Sequence, residues 1–298
     1  MPGTRVVDAR TVVGLAGSLN QPHDQDQLER SAAIQPELRA VDAYNGRELL
    51  VAWLRSFGVT TIHTGHAPGA LVSGQTMVVK TTAETVDRGV LVPSAMVAVS
   101  LGQAGVAPDG RSPGTRPKAV AMLRADLLRA REYARKMADA AEEKRPSRDL
   151  RLEALARVLR KEVPLLVTAH RAHDILAALR VAEEFDVRVV LDGASEAYLV
   201  ADRIKAAGVP VILHATMQRS SGDAENASME TASALRRAGI PFALQSGYES
   251  YVPKTRVVLF EAAVAAANGL SFDEALAAIT IDAARLVGVA DRVGSLEA

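Results

Sequence analysis

The sequence predicts an α/β protein folded as a (β/α)8 TIM-like barrel. Short runs of β-branched residues alternate with alanine-rich stretches of helical spacing, and seven or eight strands can be counted over the 298 residues. Parallel strands joined by right-handed helical crossovers produce this alternation. No Gly-x-Gly-x-x-Gly or P-loop pattern follows a strand, which disfavours an open nucleotide-binding sheet.

The carboxyl-terminal half has the clearest pattern. We predict strands over 163–168, 187–191, 209–213 and 240–244, separated by helices over 174–185, 196–207 and 225–238. Gly208 and Gly239 directly follow two of these helices, where glycine is the usual stop. The first half is less regular, with strands predicted over 5–13, 59–63, 76–80 and 95–100 and a helix over 46–57.

Composition excludes several classes of protein. Lys plus Arg and Asp plus Glu both number 35, so the balanced charge argues against a nucleic-acid partner bound by bulk electrostatics. The chain has no cysteine, which rules out disulfides, thiolate metal ligands and a thiol nucleophile. No apolar run is long enough to span a membrane.

The organisation predicted is one domain over 1–298 with a distinct outer segment. Residues 115–161 contain 14 Lys or Arg residues and 7 Asp or Glu residues. We predict that this segment forms two helices, with a break at Pro146. A solvated outer helical pair is the ordinary interpretation, and a surface for a partner or anionic substrate is the alternative.

The amino terminus bears on location. Residues 1–5 lack the apolar stretch of a signal peptide, which favours the cytoplasm. The alternative is that an extension with an export signal is missing, so the location stays open.

Candidate site residues follow from the barrel prediction, because sites in such barrels form at the carboxyl ends of the strands. Beside these ends we also considered the His63 and His66 pair and Lys80, which could pair with a carboxylate such as Asp192. The candidates for a ligand pocket are Arg10, His63, His66, Lys80, Thr168, His170, Asp192, His214 and Gly247.

Several motifs resemble a known family. Met1-Pro2-Gly3 followed by Val7-Asp8-Ala9-Arg10-Thr11-Val12-Val13-Gly14 resembles the first-strand motif of the amidohydrolase superfamily, PG-(hydrophobic)-DAHTHxG. His170-Arg171-Ala172-His173-Asp174-Ile175 is similar to the HRADDI motif of its imidazolonepropionase-like members. The resemblance covers essentially the whole chain and is most specific in the carboxyl-terminal third.

The resemblance implies a chemistry. Members of the superfamily hold one or two divalent metals at the barrel mouth, and the metal activates a water that hydrolyses an amide, cyclic amide or imine bond. The ligands are a His-x-His pair on the first strand, a Lys or Glu on the fourth, a His on the fifth and sixth, and an Asp on the eighth. The nominal class is therefore a hydrolase of non-peptide carbon–nitrogen bonds.

The ligand positions are substituted in this chain. The His-x-His pair falls on Arg10 and Val12, neither of which can ligate a divalent metal. The remaining ligand positions fall on Val97 (with Lys80 as a second candidate), Thr168, Asp192 and Gly247. We therefore expect the metal centre to be lost, so that no cofactor is needed.

Three functions remain open. The first is a catalytically degenerate amidohydrolase that binds a small molecule, with Arg10, Thr168 and His170 as an anion pocket. The second is an active hydrolase with a rebuilt metal site, its zinc held by His170, His214 and Asp192. The third is a non-catalytic subunit of a hydrolase complex.

The resemblance also bears on assembly. We expect a homo-oligomer, or a hetero-oligomer with an active paralogue. The β-sandwich that usually flanks the superfamily barrel is expected to be absent or to have been removed.

Overall fold

The computed structural model describes residues 5–17, 21–107, 112–214, 216–217, 220–248 and 257–296. Strands and helices alternate along most of this length. The strands are β1 (Val6–Thr11), β2 (Val59–Thr64), β3 (Val72–Gln75), β4 (Met77–Lys80), β5 (Val90–Val92), β6 (Val97–Ser100), β7 (Leu165–Ala169), β8 (Val189–Gly193), β9 (Val211–Leu213) and β10 (Phe242–Leu244). The helices are α1 (Leu49–Ser56), α2 (Val86–Gly89), α3 (Arg116–Asp139), α4 (Leu150–Leu159), α5 (Ala172–Phe185), α6 (Ala201–Ala207), α7 (Thr231–Ala238), α8 (Val258–Ala267), α9 (Phe272–Ala278) and α10 (Ile281–Leu286).

The strands form two hydrogen-bonded sheets. One has the order β10-β9-β8-β7-β6-β3 and the other the order β1-β2-β4-β5. From β6 to β10 every neighbouring pair is parallel and follows chain order. The mixed α/β class and the succession of parallel strands in the carboxyl-terminal half are therefore confirmed.

The predicted barrel of eight parallel strands is wrong in one stretch. Residues 72–80 run antiparallel, because β4 pairs with β2 and β3 pairs with β6 in that sense. The paired strands β2 and β4 are joined by residues 65–76 with no helix between them, whereas a parallel pair usually needs a helical crossover. The short connection therefore turns the chain back on itself.

Main-chain contacts join the sheets on two sides. Thr76, between β3 and β4, donates its N–H to the carbonyl of Met96. On the opposite side, Thr11 at the end of β1 forms a parallel bridge with Gly247 after β10. The strands thus follow one another as around a barrel, but hydrogen bonding is not continuous around it. The absence of a flanking β-sandwich stays a prediction.

Two helices of the carboxyl-terminal half begin later than predicted. A 3-10 turn at Ala197–Leu199 precedes α6. Before α7, the Ser228 hydroxyl accepts the N–H of Glu230 at 3.2 Å, a local bond that competes with helical pairing. Both helices nevertheless end at the predicted glycines, Gly208 and Gly239, whose φ angles are +64° and +71°.

The core lies on both faces of the strands. Alternate residues such as Leu166, Val190 and Ile212 cluster with Ala283 and Ala284 of α10. The intervening residues pack against the outer helices. This two-residue alternation is what a sheet buried on both faces requires.

The basic segment 115–161 contains α3 and α4, which pack against each other. Ala119, Leu123, Leu127 and Ala130 are buried at helical spacing along α3. Most charged side chains of the segment are exposed. Within the described ranges, no helix combines the length and the apolar character needed to cross a bilayer.

Candidate functional site

The centre of the candidate site is Arg10, at the carboxyl end of β1. Its side chain is 1% exposed, and its Nε lies 3.8 Å from Oδ2 of Asp192. The two terminal nitrogens donate to main-chain carbonyls, one to Thr11 at 3.3 Å and the other to His66. The guanidinium carbon also lies 5.6 Å from the ring centroid of Tyr248. The protein itself therefore surrounds this cation.

A strand irregularity accompanies the position of Arg10. The pairing of β1 with β2 shifts register between Asp8 and Thr11. Strict alternation would place Arg10 on the face opposite Val7 and Ala9, which belong to the cluster under α10. A local shift of this kind re-aims a side chain, and here Arg10 faces Asp192.

The carboxylate of Asp192 is fully buried and fully hydrogen-bonded. Oδ2 accepts the hydroxyl of Thr168 at 2.7 Å, and Oδ1 accepts the side-chain amide of Gln245 at 2.8 Å. Thr168 stands opposite Asp192 in the register of β7 with β8. Because buried carboxylates are tolerated only when paired and hydrogen-bonded, this set of partners accounts for Asp192 inside the core.

Tyr248 covers this ion pair and was not among the predicted site residues. Burial raises the pKa of its phenol well above the usual value, and the charge of Asp192 adds to the effect. The hydroxyl interacts with Thr168 and Asp192. Gln245 was likewise missed, although both residues follow the last strand and so lie where barrel sites form.

The histidines at the end of β2 and just after it, His63 and His66, are buried near the guanidinium. His63 places Nδ1 2.8 Å from the carbonyl of Ala9 and Nε2 2.6 Å from the hydroxyl of Thr76. A carbonyl can only accept, so Nδ1 carries the proton and Nε2 accepts. Burial, followed by the charge of Arg10, lowers the pKa of His63 to about 3 and that of His66 to about 4.

His170 and His214 lie beside the end of β8. His170 places Nδ1 2.7 Å from the hydroxyl of Ser195. Burial lowers its pKa, and the charge of Asp192 partly opposes this shift. His214 is 2% exposed, and its main-chain N–H donates to Gly193 at 2.8 Å. The ring of His170 is therefore held by Ser195, and the main chain of His214 is fixed to the end of β8.

Of the predicted site residues, Lys80 lies away from the Arg10 centre and Gly247 forms a main-chain bridge between strands. Lys80 pairs in register with Thr61, three residues before the end of β2, and its Nζ lies 3.3 Å from the Thr61 hydroxyl. The predicted pairing of Lys80 with Asp192 is therefore not formed, because the antiparallel course of β4 carries Lys80 away from the strand ends. Gly247 forms the bridge to Thr11 described above, with a φ of +85°.

A separate ion-pair network lies at the start of α5. Arg116 donates Nε to Asp174 at 3.0 Å and Nη2 to Asp223 at 2.8 Å. His173 is 60% exposed, with Nε2 3.4 Å from Asp174. The network joins the beginnings of α3 and α5 to the loop after β9, and His173 belongs to it rather than to the Arg10 centre.

The comparison with solved structures identifies the class of fold. The chain matches an amidohydrolase from Thermotoga maritima MSB8 with a TM-score of 0.93 and 26% identity, over 99% of this chain and 78% of the other. An uncharacterised protein matches with a TM-score of 0.56 and 16% identity, over 99% of this chain and 76% of the other. A prolidase crystallised with N-methylphosphonate-L-proline matches with a TM-score of 0.52 and 15% identity, over the same shares; at such identities these two show the fold alone.

The chain has the fold of an amidohydrolase, and the amidohydrolase superfamily fits it. Neither a protein-family model nor a curated protein sequence matches the chain.

A fold of this class implies a divalent metal, and the residues around Arg10 do not fit one. Both Asp192 oxygens are engaged by neutral donors, and the guanidinium lies beside them. Both ring nitrogens of His63 are engaged as well. Among the residues that the structure describes, no group of three or more His, Asp or Glu side chains could hold a metal ion. A dication would also meet the guanidinium charge in a low-dielectric interior.

Proposed function

We propose that this chain is an amidohydrolase-superfamily barrel, of the imidazolonepropionase-like kind, that has lost metal-dependent hydrolysis of non-peptide carbon–nitrogen bonds. It binds a small molecule at the barrel mouth without turnover. The subgroup rests on the sequence motifs around Arg10 and His170. The superfamily part is supported by the match to the amidohydrolase from Thermotoga maritima.

One observation carries the loss of hydrolysis. The buried guanidinium of Arg10 stands beside the carboxylate of Asp192, where the motif comparison puts metal ligands. Arginine stays protonated in proteins, so it cannot give up its proton to bind a metal. The fixed cation supplies positive charge next to Asp192 but has no open coordination position to activate a water.

The mouth differs from the anion pocket predicted from Arg10, Thr168 and His170. Thr168 donates to Asp192, and His170 bonds to Ser195, so both side chains already have partners within the protein. The charge of Arg10 is balanced by Asp192. A ligand at this mouth is therefore expected to be neutral overall, and to meet the phenol of Tyr248 rather than an unpaired cation.

Metal content and hydrolysis test the proposal together. Protein produced with added Zn²⁺ and Mn²⁺ is analysed for metal after dialysis, and is then assayed on N-acyl amino acids, cyclic amides and cyclic imines. We expect far less than one metal per chain, and no hydrolysis that a chelator removes. About one tightly bound zinc per chain, with hydrolysis abolished by chelation and by His170→Ala, would replace the proposal with the rebuilt-site hydrolase.

A further inference from the structure

A large cleft opens at the end of the strands opposite the Arg10 centre. It has a volume of about 1150 Å³ and is lined where β8, β9 and β10 begin and where α5, α6 and α7 end. Small-molecule sites usually measure about 300–1,000 Å³, so this space is sufficient for an organic ligand. It shares no lining residue with the Arg10 centre.

The floor of the cleft is apolar. Val189, Pro210, Pro241 and Phe242 stand where successive strands begin. The prolines have no N–H, and their carbonyls already accept bonds from Leu191 and Val211 in neighbouring strands. The floor therefore offers a ligand an apolar surface with few polar groups to satisfy.

The rim of the cleft has cations without acidic partners. Arg180 and Arg203 are exposed and, in the part of the chain that the structure describes, their side chains form no hydrogen bond or ion pair. Among the described residues, the side chain of Arg188 bonds only to the carbonyl of Glu162, at 3.0 Å. The other basic residues of the rim have acidic partners: Lys161 pairs with Asp186, Arg285 with Asp282, and Arg236 with both Asp282 and Glu274. Glu183 also lines the cleft, so its basic residues outnumber its acidic ones by six to three.

The helix ends do not account for these arginines. Free carbonyls at a helix C-terminus attract cations, but here left-handed capping residues supply N–H donors. Asp186 donates to Ala182 and Glu183, Gly208 to Ile204 and Lys205, and Gly239 to Leu235 and Arg236. The unpaired guanidinium groups therefore remain available to an external anion.

We propose that this cleft binds a small organic anion that bears phosphate on an apolar or aromatic body. The guanidinium groups of Arg180, Arg188 and Arg203 would hold the phosphate through charge-assisted bonds, for which the planar fork of arginine is suited. The apolar body would lie on the floor beside Phe242. This site is independent of the proposed function at the barrel mouth.

Calorimetric titration tests the site with ADP as the probe, and with adenosine and pyrophosphate as its separate halves. We expect ADP to bind in the sub-millimolar range and more tightly than either half. The double variant Arg180→Ala/Arg203→Ala should weaken ADP binding at least tenfold. Arg30→Ala/Arg88→Ala is the matched control, because it removes two exposed arginines outside the cleft and changes the net charge equally; it should stay within twofold of the wild type.

Hydrogen exchange locates the ligand. ADP should protect the amides of 186–190 and 208–209, which line the cleft, and should leave those of 8–11 unchanged. Absence of binding at millimolar ADP would overturn the proposal. So would equal weakening in both double variants, or protection confined to the barrel mouth.

Discussion

The guanidinium of Arg10 and the carboxylate of Asp192 lie side by side in the interior, 3.8 Å apart from Nε to Oδ2, with side chains 1% and 0% exposed. Each charge makes the burial of the other tolerable. Thr168 and Gln245 hydrogen-bond the carboxylate, and main-chain carbonyls accept hydrogen bonds from the two terminal nitrogens of the guanidinium. The two charges at the centre are thus paired with each other inside the core.

Removing the cation should destabilise the fold. Arg10→Met leaves the Asp192 carboxylate buried without its partner, and breaking a buried pair in this way costs about 3–5 kcal/mol. Urea unfolding monitored by circular dichroism measures the loss. The double variant Arg10→Met/Asp192→Asn removes both charges and should recover part of it. A loss below about 1 kcal/mol in the single variant would show that the pair is not energetically important.

Acid should weaken the protein through His63. Its pKa is lowered from 6.5 to about 3 in the folded state, so on acidification the unfolded chain takes up the proton first. The stability that His63 contributes is complete above pH 6.5 and is lost progressively as the pH falls toward 3. Across this interval the free energy of unfolding falls by about 1.4 kcal/mol per pH unit for such a group.

Substitution of His63 should therefore flatten the acid side of the stability profile. Urea unfolding at half-unit steps from pH 7 to pH 4 compares the wild type with His63→Gln. His23→Gln, which replaces an exposed histidine, is the control and should follow the wild type. Parallel profiles for His63→Gln and the wild type would contradict the assignment of a buried neutral imidazole.

The titration of Asp8 should change the stability with pH in the direction opposite to that of His63. Burial raises its pKa from 3.8 to about 6, and the charge of Glu261 adds to this, although Ser246 hydrogen-bonds the carboxylate. The folded state therefore holds the Asp8 proton more tightly. The stability contributed in this way is complete below pH 3.8 and is lost as the pH rises through 6.

Asp8→Asn removes this titration. Between pH 4 and pH 7, we expect the free energy of unfolding of the variant to rise relative to that of the wild type by about 2–3 kcal/mol. One pKa unit corresponds to 1.36 kcal/mol. Unfolding free energies at the two pH values provide the measurement. If the difference between variant and wild type stays constant with pH, Asp8 is ionised in the fold throughout this range.

Gly193 supports the position of His170. Its φ is +83°, and a Cβ atom there would lie 2.5 Å from Cε1 of the His170 ring. Gly193→Ala should therefore lower the free energy of unfolding by more than backbone strain alone, which amounts to about 1–3 kcal/mol. Gly208→Ala is the matched control, because Gly208 has a φ of +64° and nothing within 4 Å of its Cβ position. Equal thermal destabilisation by the two substitutions would show that the ring moves aside freely.

The sequence was informative where structure is local. The strands after residue 160 and the helix ends at Gly208 and Gly239 were predicted closely, because apolar alternation and left-handed glycine caps are read from neighbouring residues. Asp192 and Thr168 were placed together for the same reason, since consecutive parallel strands end at one edge. The direction of the strand predicted over 76–80 was wrong, because short apolar runs do not specify the sense of strand pairing.

The sequence by itself determined the α/β class, the succession of strands and the substitution of arginine where the motif has histidine. Only the tertiary structure decided that Arg10 faces Asp192, that Tyr248 covers the pair and that Lys80 lies away from both. The physical reason is that these contacts join residues far apart in the chain. Their geometry depends on strand register and on one irregularity in β1, which side-chain periodicity does not encode.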